Sequence, residues 1–162
     1  MLQVADILGE SVCDGLGLRT VVFLQGCPRH CKGCHNAALI PFEGGRAYTP
    51  AELAAAILQK LTPIHRGVTF SGGDPLAQAK ELEQVIPLVR QERPDINIWV
   101  YTGYLYEDVK DYPVLRLIDV LVDGPFILEQ RDISLPFKGS GNQRLIDVLQ
   151  TLAQGSVAVL SL

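Results

Sequence analysis

Residues 26–36 read GCPRHCKGCHN, and this stretch holds three of the four cysteines in the chain. Cys27, Cys31 and Cys34 stand at positions i, i+4 and i+7, directly after an apolar run. Thiolates at this spacing can surround one metal centre. Because a four-coordinate metal or an iron–sulfur cubane normally takes four protein ligands, a set of three leaves one coordination position open for substrate chemistry.

Length and composition indicate one compact domain that spans residues 1–162. Of the 162 residues, 48% are hydrophobic and 20% are charged, which is typical of a folded protein and not of a disordered one. The chain is too short for a complete eight-unit barrel of about 250 residues. Its net charge of −4 offers no attraction for nucleic acid, so no nucleic-acid partner is expected.

The sequence lacks the patterns of a membrane or exported protein. No run approaches the roughly 20 apolar residues that cross a bilayer, and no basic segment followed by an apolar one opens the chain. We therefore expect a cytoplasmic protein with no membrane partner. Since thiols stay reduced in the cytoplasm, clustered cysteines there indicate metal ligands and not disulfides.

Alternating strand and helix patterns predict an α/β fold. Short apolar runs predict strands over 2–7, 19–25, 67–70, 96–101 and 120–122. Polar turns after Gln25, Phe70 and Tyr101 all follow strand C-termini, the edge at which parallel sheets place their sites. We expect a small partial (open) β/α barrel with mostly parallel strands.

Proline positions mark two helices in this pattern. The sequence TPAE at residues 49–52 predicts a capping box at the start of a helix that ends before Pro63. A second helix is predicted to begin near Pro75. Pro87 lies inside it and removes a backbone hydrogen bond, so a kink or an early stop is expected there.

The spacing Cys-x3-Cys-x2-Cys, after an apolar strand and a glycine, resembles the signature of the radical S-adenosylmethionine enzymes. The preceding residues 19–28, RTVVFLQGCP, and the trailing Cys34-His35-Asn36 narrow the resemblance to the small activating enzymes that install a glycyl radical in a partner. Within that group, the chain is most similar to the activators of anaerobic ribonucleoside-triphosphate reductase. The resemblance extends from Asp14 to Val148.

The resemblance implies that Cys27, Cys31 and Cys34 hold one [4Fe–4S] cluster, whose fourth iron chelates S-adenosylmethionine through its amine and carboxylate. It further implies that one electron splits the sulfonium to methionine and a 5′-deoxyadenosyl radical, which takes a hydrogen atom from a glycine of the partner. The implied partners are a glycyl radical enzyme, above all the large subunit of anaerobic ribonucleotide reductase, and a flavodoxin- or ferredoxin-like electron donor. No catalytic side chain beyond the cluster and the cofactor is expected.

A second motif, Ser71-Gly72-Gly73-Asp74, follows a predicted strand. Two glycines let backbone carbonyls approach a ligand closely, and the negative charge of Asp74 suits an ammonium group. In the resembled family, the corresponding motif binds the amino group of the methionine moiety. An ordinary helix start, with Asp74 as the capping residue before Pro75, explains the same residues without a ligand.

Weaker candidates complete the expected cofactor site. Gly33, Cys34 and His35 are placed near adenine through their backbone, by resemblance. The segment Thr102-Gly103-Tyr104 ends a strand and is a candidate for the ribose or carboxylate side, with Thr102 as its site residue, although a plain turn explains the segment equally well.

Several alternatives remain open from the sequence alone. The cysteines can form a structural zinc site with His30 or His35, or a closed electron-transfer cluster with Cys13 as fourth ligand. As a lone cysteine, Cys13 is otherwise expected to be a small packed side chain. The enzyme alternatives are an activator of the pyruvate formate-lyase type and a radical enzyme with a small-molecule substrate.

Two basic residues near the C-terminus have no role that the sequence defines. Lys138 and Arg144 can meet a carboxylate or the partner protein. An unpaired surface charge is the default expectation for both.

Overall fold

One seven-stranded sheet organises the chain in the computed structural model, which describes residues 1–162. Its strands are β1 (Leu2–Ser11), β2 (Arg19–Leu24), β3 (Arg46–Tyr48), β4 (Gly67–Gly72), β5 (Asn97–Tyr101), β6 (Val120–Asp123) and β7 (Arg144–Asp147). Every predicted strand is present with slightly different bounds. The patterns did not predict β3 and β7.

The strand order is β3-β1-β2-β4-β5-β6-β7, with a parallel centre and antiparallel flanks. Strands β2, β4, β5 and β6 pair in parallel, whereas β1, β3 and β7 pair antiparallel with their neighbours. The expected α/β class is confirmed, and the sheet is open. Because the central strands run the same way, their C-terminal ends meet at one edge.

Four α-helices connect and flank the strands: α1 (Pro50–Lys60), α2 (Ala79–Glu92), α3 (Tyr106–Val109) and α4 (Val148–Gln154). The predicted capping box of α1 is present. The backbone N–H of Glu52 donates to Thr49 Oγ1 at 3.1 Å, and the N–H of Thr49 donates to Glu52 Oε2 at 3.2 Å. No helix combines the length and the apolar character needed to cross a bilayer.

Helix α2 does not stop at Pro87, so the expected early stop is wrong. The helix continues to Glu92 because its inner stripe, Leu82, Val85, Ile86 and Val89, is buried in the main core. Pro87 itself lies on the exposed side. Water can therefore reach the carbonyl of Glu83, which loses its hydrogen bond to the proline nitrogen.

A buried arginine fixes the turn between β1 and β2. The guanidinium of Arg19 donates to Thr69 Oγ1, Leu16 O and Asn97 O, each at 2.8 Å, and burial lowers its pKa to about 10. The hydroxyl of Thr69 in turn donates to Asp14 O at 2.6 Å. These bonds hold the turn that carries Asp14 against the sheet.

Of the two C-terminal basic residues, Arg144 is not an unpaired surface charge, so the default expectation is wrong for it, whereas Lys138 forms no ion pair. Arg144 Nε donates to Asp123 Oδ1 at 3.0 Å, and its Nη2 donates to both Asp123 and Glu107. Asp123 is 0% exposed, and these bonds to Asp123 and Glu107 raise the pKa of Arg144. Lys138 Nζ donates to the carbonyl of Gln143 at 3.0 Å.

Replacement of Arg144 by methionine should lower the free energy of unfolding by about 3 kcal/mol, because it leaves the buried carboxylate of Asp123 without its cation. Urea denaturation followed by circular dichroism measures the change. Arg116→Met is the matched control, since Arg116 is exposed and makes no side-chain hydrogen bond or ion pair. Equal stability of the two variants would contradict a structural role for Arg144.

Candidate functional site

The C-terminal edge of the central strands surrounds a cleft of about 260 Å³ that is lined by 18 residues. Loops that follow β2, β4, β5 and β6 all contribute to it. Most of the residues proposed from the sequence line this cleft: Cys27, Cys31, Cys34, His35, Ser71, Gly72, Gly73, Asp74 and Thr102. Gly33 lies outside the lining.

The three cysteines of the 26–36 loop are free thiols of intermediate exposure. They line one cleft, yet no group of three or more Cys, His, Asp or Glu side chains is gathered tightly enough to hold a single metal ion. A zinc ion needs all its donors within about 2.3 Å, whereas each cysteine of a cubane binds a different iron. Three cysteine thiols that line one cleft are a donor set that fits an iron–sulfur cluster.

The pKa of the Cys27 thiol is affected by the position of this residue at the start of the cysteine loop. Burial raises its pKa, while the backbone N–H of Arg29 acts in the opposite direction. Cluster assembly requires the thiolate, so iron must displace the proton from a partly buried group.

The two glycines of the second motif are required by neighbouring backbone. A Cβ on Gly72 would meet the backbone of Leu24, and a Cβ on Gly73 would meet the carbonyl of Gly26. The N–H groups of Gly73 and Asp74 donate to Leu24 O and Gly26 O, both at 2.8 Å. The glycines thus bring the motif against the end of β2 and the start of the cysteine loop.

Asp74 is 1% exposed and accepts four hydrogen bonds. Its Oδ1 accepts from Leu76 N at 3.1 Å and Thr102 Oγ1 at 2.8 Å, and its Oδ2 accepts from Gly103 N at 3.0 Å and Arg29 Nη1 at 2.8 Å. Burial raises the pKa of this carboxyl, and the four donors oppose that effect. The Leu76 bond is the predicted helix cap, but it uses only one of the four acceptor positions.

Arg29 joins the cysteine loop to this carboxylate. Its guanidinium bonds Asp74 and lies over the ring of Tyr104, with Cζ 4.0 Å from the ring centroid. A Cβ on Gly103 would meet the same guanidinium, so the glycine makes the approach possible. Asn36 provides a second link, from its Nδ2 to Gly72 O at 3.2 Å.

The loop between β6 and β7 forms another wall of the cleft. The ring of Phe126 packs edge-on against His35, with centroids 5.4 Å apart, and Leu128 fills the space beside Gly33. Gln143 holds this loop in place, because its side chain donates to Gly124 O at 3.0 Å and accepts from Gly139 N at 2.8 Å. Because this loop is held in place, the ring of Phe126 stays in contact with the exposed side chain of His35.

Cys13 is exposed, so the expectation that it is a packed side chain is wrong. It lies in the turn before β2 and is absent from the cleft lining, although its neighbour Asp14 is present there. A fourth thiolate is therefore not provided at the cleft, and the closed four-cysteine cluster loses its structural basis.

Sequence reasoning did not select half of the cleft-lining residues as site residues. These are Asp14, Arg29, Asn36, Tyr101, Gly103, Gly124, Phe126, Gly139 and Gln143. Arg29 and Asn36 could have been found from their positions inside the cysteine stretch. The others lie in the turn before β2, at the end of β5 and in the loop between β6 and β7, and only the sheet order brings these segments together.

Comparison with known proteins agrees with an iron–sulfur site at this cleft. The family model described as a 4Fe-4S single cluster domain matches residues 13–146, which defines the chain as an iron–sulfur protein of the single-cluster class. Anaerobic ribonucleoside-triphosphate reductase-activating proteins are similar over 82% of this chain. The one from Vibrio cholerae is 40% identical over 89% of its own length, and that of Escherichia coli K12 is 36% identical over 90%.

The protein of the same name from Enterobacteria phage T4 is 34% identical over 82% of this chain and 88% of its own length. The chain belongs to the family of anaerobic ribonucleoside-triphosphate reductase-activating proteins. Among solved structures, QueE from Escherichia coli is similar with a TM-score of 0.45 and 20% identity, over 63% of this chain and 52% of that chain. That likeness is too partial to support a conclusion.

Replacement of Gly73 by alanine should prevent normal cluster assembly, because the added Cβ would push the motif away from the carbonyls of Gly26 and Leu39. Iron bound after anaerobic reconstitution should fall below half of the roughly four atoms per chain expected of one cubane. Gly141→Ala is the control, since a Cβ there meets nothing closer than 3.9 Å. Full iron loading of both variants would contradict the packing role of Gly73.

Proposed function

We propose that this chain is an iron–sulfur, S-adenosylmethionine-dependent activating enzyme that forms a glycyl radical on a partner, and that the partner is the large subunit of anaerobic ribonucleoside-triphosphate reductase. The main support is the meeting of three free cysteines and the Ser71-to-Asp74 motif at one cleft. The names of the 34–41% identical relatives support the choice of partner.

In this proposal, Cys27, Cys31 and Cys34 hold one [4Fe–4S] cluster, and the motif with Asp74 receives the amine of S-adenosylmethionine. When bound, cluster and cofactor supply the one-electron cleavage that yields a 5′-deoxyadenosyl radical for hydrogen abstraction from a glycine. The chain's own residues bind and orient these groups. His35 with Phe126 lines one part of the cleft, and Thr102 with Gly103 lines another.

The remaining features of the proposal concern the surroundings of the site. The open sheet is taken as the partial β/α barrel of this enzyme class, and residues 1–162 act as one domain. A flavodoxin- or ferredoxin-like protein provides the electron, and the reaction takes place in the cytoplasm. The cleft is open to the surface along the cysteine loop, where Lys32 and His35 are exposed, so a partner's loop can enter.

The direct test of this function is a glycyl radical assay. The reconstituted protein is mixed anaerobically with the large subunit of anaerobic ribonucleotide reductase, S-adenosylmethionine and a chemical reductant, and the electron paramagnetic resonance spectrum is recorded. A glycyl radical doublet on the large subunit is expected, with one 5′-deoxyadenosine formed per radical. Formation of 5′-deoxyadenosine without the doublet would exclude this partner.

Replacement of Cys31 by serine should abolish the cluster, because a hydroxyl is a poor ligand for iron at this site. Replacement of Cys13 by serine should leave it unchanged, since Cys13 is exposed and lies outside the cleft lining. Iron and sulfide analysis after reconstitution measures both effects. Loss of the cluster in the Cys13 variant would instead support a closed cluster in a non-catalytic electron carrier.

A further inference from the structure

The amine-binding carboxylate of the proposed function has no free acceptor position. A carboxylate offers about four lone-pair sites, and Asp74 uses two on each oxygen. An incoming ammonium can therefore bond to Asp74 only if one of the present donors leaves.

The four donors differ in how easily they can leave. The N–H groups of Leu76 and Gly103 belong to the backbone, in the short 3-10 helix Pro75–Gln78 and just after β5. Thr102 is 6% exposed, and its hydroxyl also accepts from Tyr104 N at 3.1 Å, so the hydroxyl is fixed on both sides.

Arg29 is the fourth donor and the exchangeable one. It is a long side chain on the cysteine loop, its side chain is 25% exposed, and a single hydrogen bond connects it to Asp74. The Tyr104 ring under the guanidinium stabilises this position. Exchange of guanidinium for ammonium keeps one cation beside the buried carboxylate, which avoids the large penalty of leaving that charge unpaired.

We propose that Arg29 is an internal competitor that occupies the amine subsite at Asp74 until the ammonium of the methionine moiety displaces it. This inference rests on the proposed function and adds a residue that determines affinity for the cofactor. The apparent affinity is then reduced by the fraction of molecules in which Arg29 holds Asp74. Removal of Arg29 should therefore tighten binding of amine-bearing ligands, whereas a residue that only supports the site would weaken it on removal.

The test is equilibrium dialysis of the anaerobically reconstituted holoenzyme against S-adenosylmethionine. Arg29→Met should lower the dissociation constant about fivefold, the factor expected when one partly exposed ion pair is lost. The same shift is expected for S-adenosylhomocysteine, which keeps the amine. Binding of 5′-methylthioadenosine, which has no amine, should not change.

Lys32→Met is the matched control, because Lys32 is an exposed cation of the same loop that makes no bond to Asp74. It should leave all three dissociation constants unchanged, and this separates the specific contact from a general loss of positive charge. Unchanged or weaker binding of S-adenosylmethionine by Arg29→Met would overturn the proposal, and weaker binding would mean that Arg29 only supports the site.

A second variant decides the question if Arg29→Met assembles no cluster. Tyr104→Leu removes the ring under the guanidinium without changing the cysteine loop, so it should also tighten binding of S-adenosylmethionine, and no tightening would overturn the proposal. Failure of the unaltered holoenzyme to bind S-adenosylmethionine would overturn the proposed function itself. Normal binding by that holoenzyme, without tightening in the variants, would overturn the Arg29 inference alone.

Discussion

The close backbone contact between the ends of β2 and β4 determines the rest of the site. Parallel pairing of these strands places Leu24 beside Gly72, and the following residues continue the contact through the bond from Asp74 N to Gly26 O at 2.8 Å. Only glycine fits at positions 72 and 73, because a Cβ would meet backbone there. The cysteine loop and the acidic motif are therefore held together before any cofactor binds.

The same contact explains why a buried charge is tolerated at the cleft. Asp74 follows the two glycines into a region that four donors surround, and one of these donors comes from the cysteine loop itself. Buried carboxylates are stable only with such pairing. The electrostatics of the proposed cofactor site and the position of the cysteine loop are thus linked through Arg29, which joins elements 45 residues apart in the chain.

Local sequence patterns predicted five of the seven strands, the capping box of α1 and the placement of the cysteines at a strand end, because these depend on neighbouring residues. The ion pair between Arg29 and Asp74 and the pair between Arg144 and Asp123 depend on strand order, which no local pattern contains. Helix α2 continues past Pro87 because packing of its inner face against the core outweighs one lost hydrogen bond, and this packing is not visible in the local sequence. The exposure of Cys13 depends on the turn before β2. Arg19 holds this turn through hydrogen bonds to Leu16 O and to Asn97 O, and Asn97 is distant in the sequence.

In the proposed function, three cysteines leave one iron of a cluster open to S-adenosylmethionine beside the Asp74 motif. The most direct measurement is the electron paramagnetic resonance spectrum of the reconstituted, reduced protein with and without S-adenosylmethionine. We expect a cluster signal whose g values change when the compound is added, because the compound binds directly to iron. A cluster signal that S-adenosylmethionine leaves unchanged would contradict the open site and support a simple electron carrier.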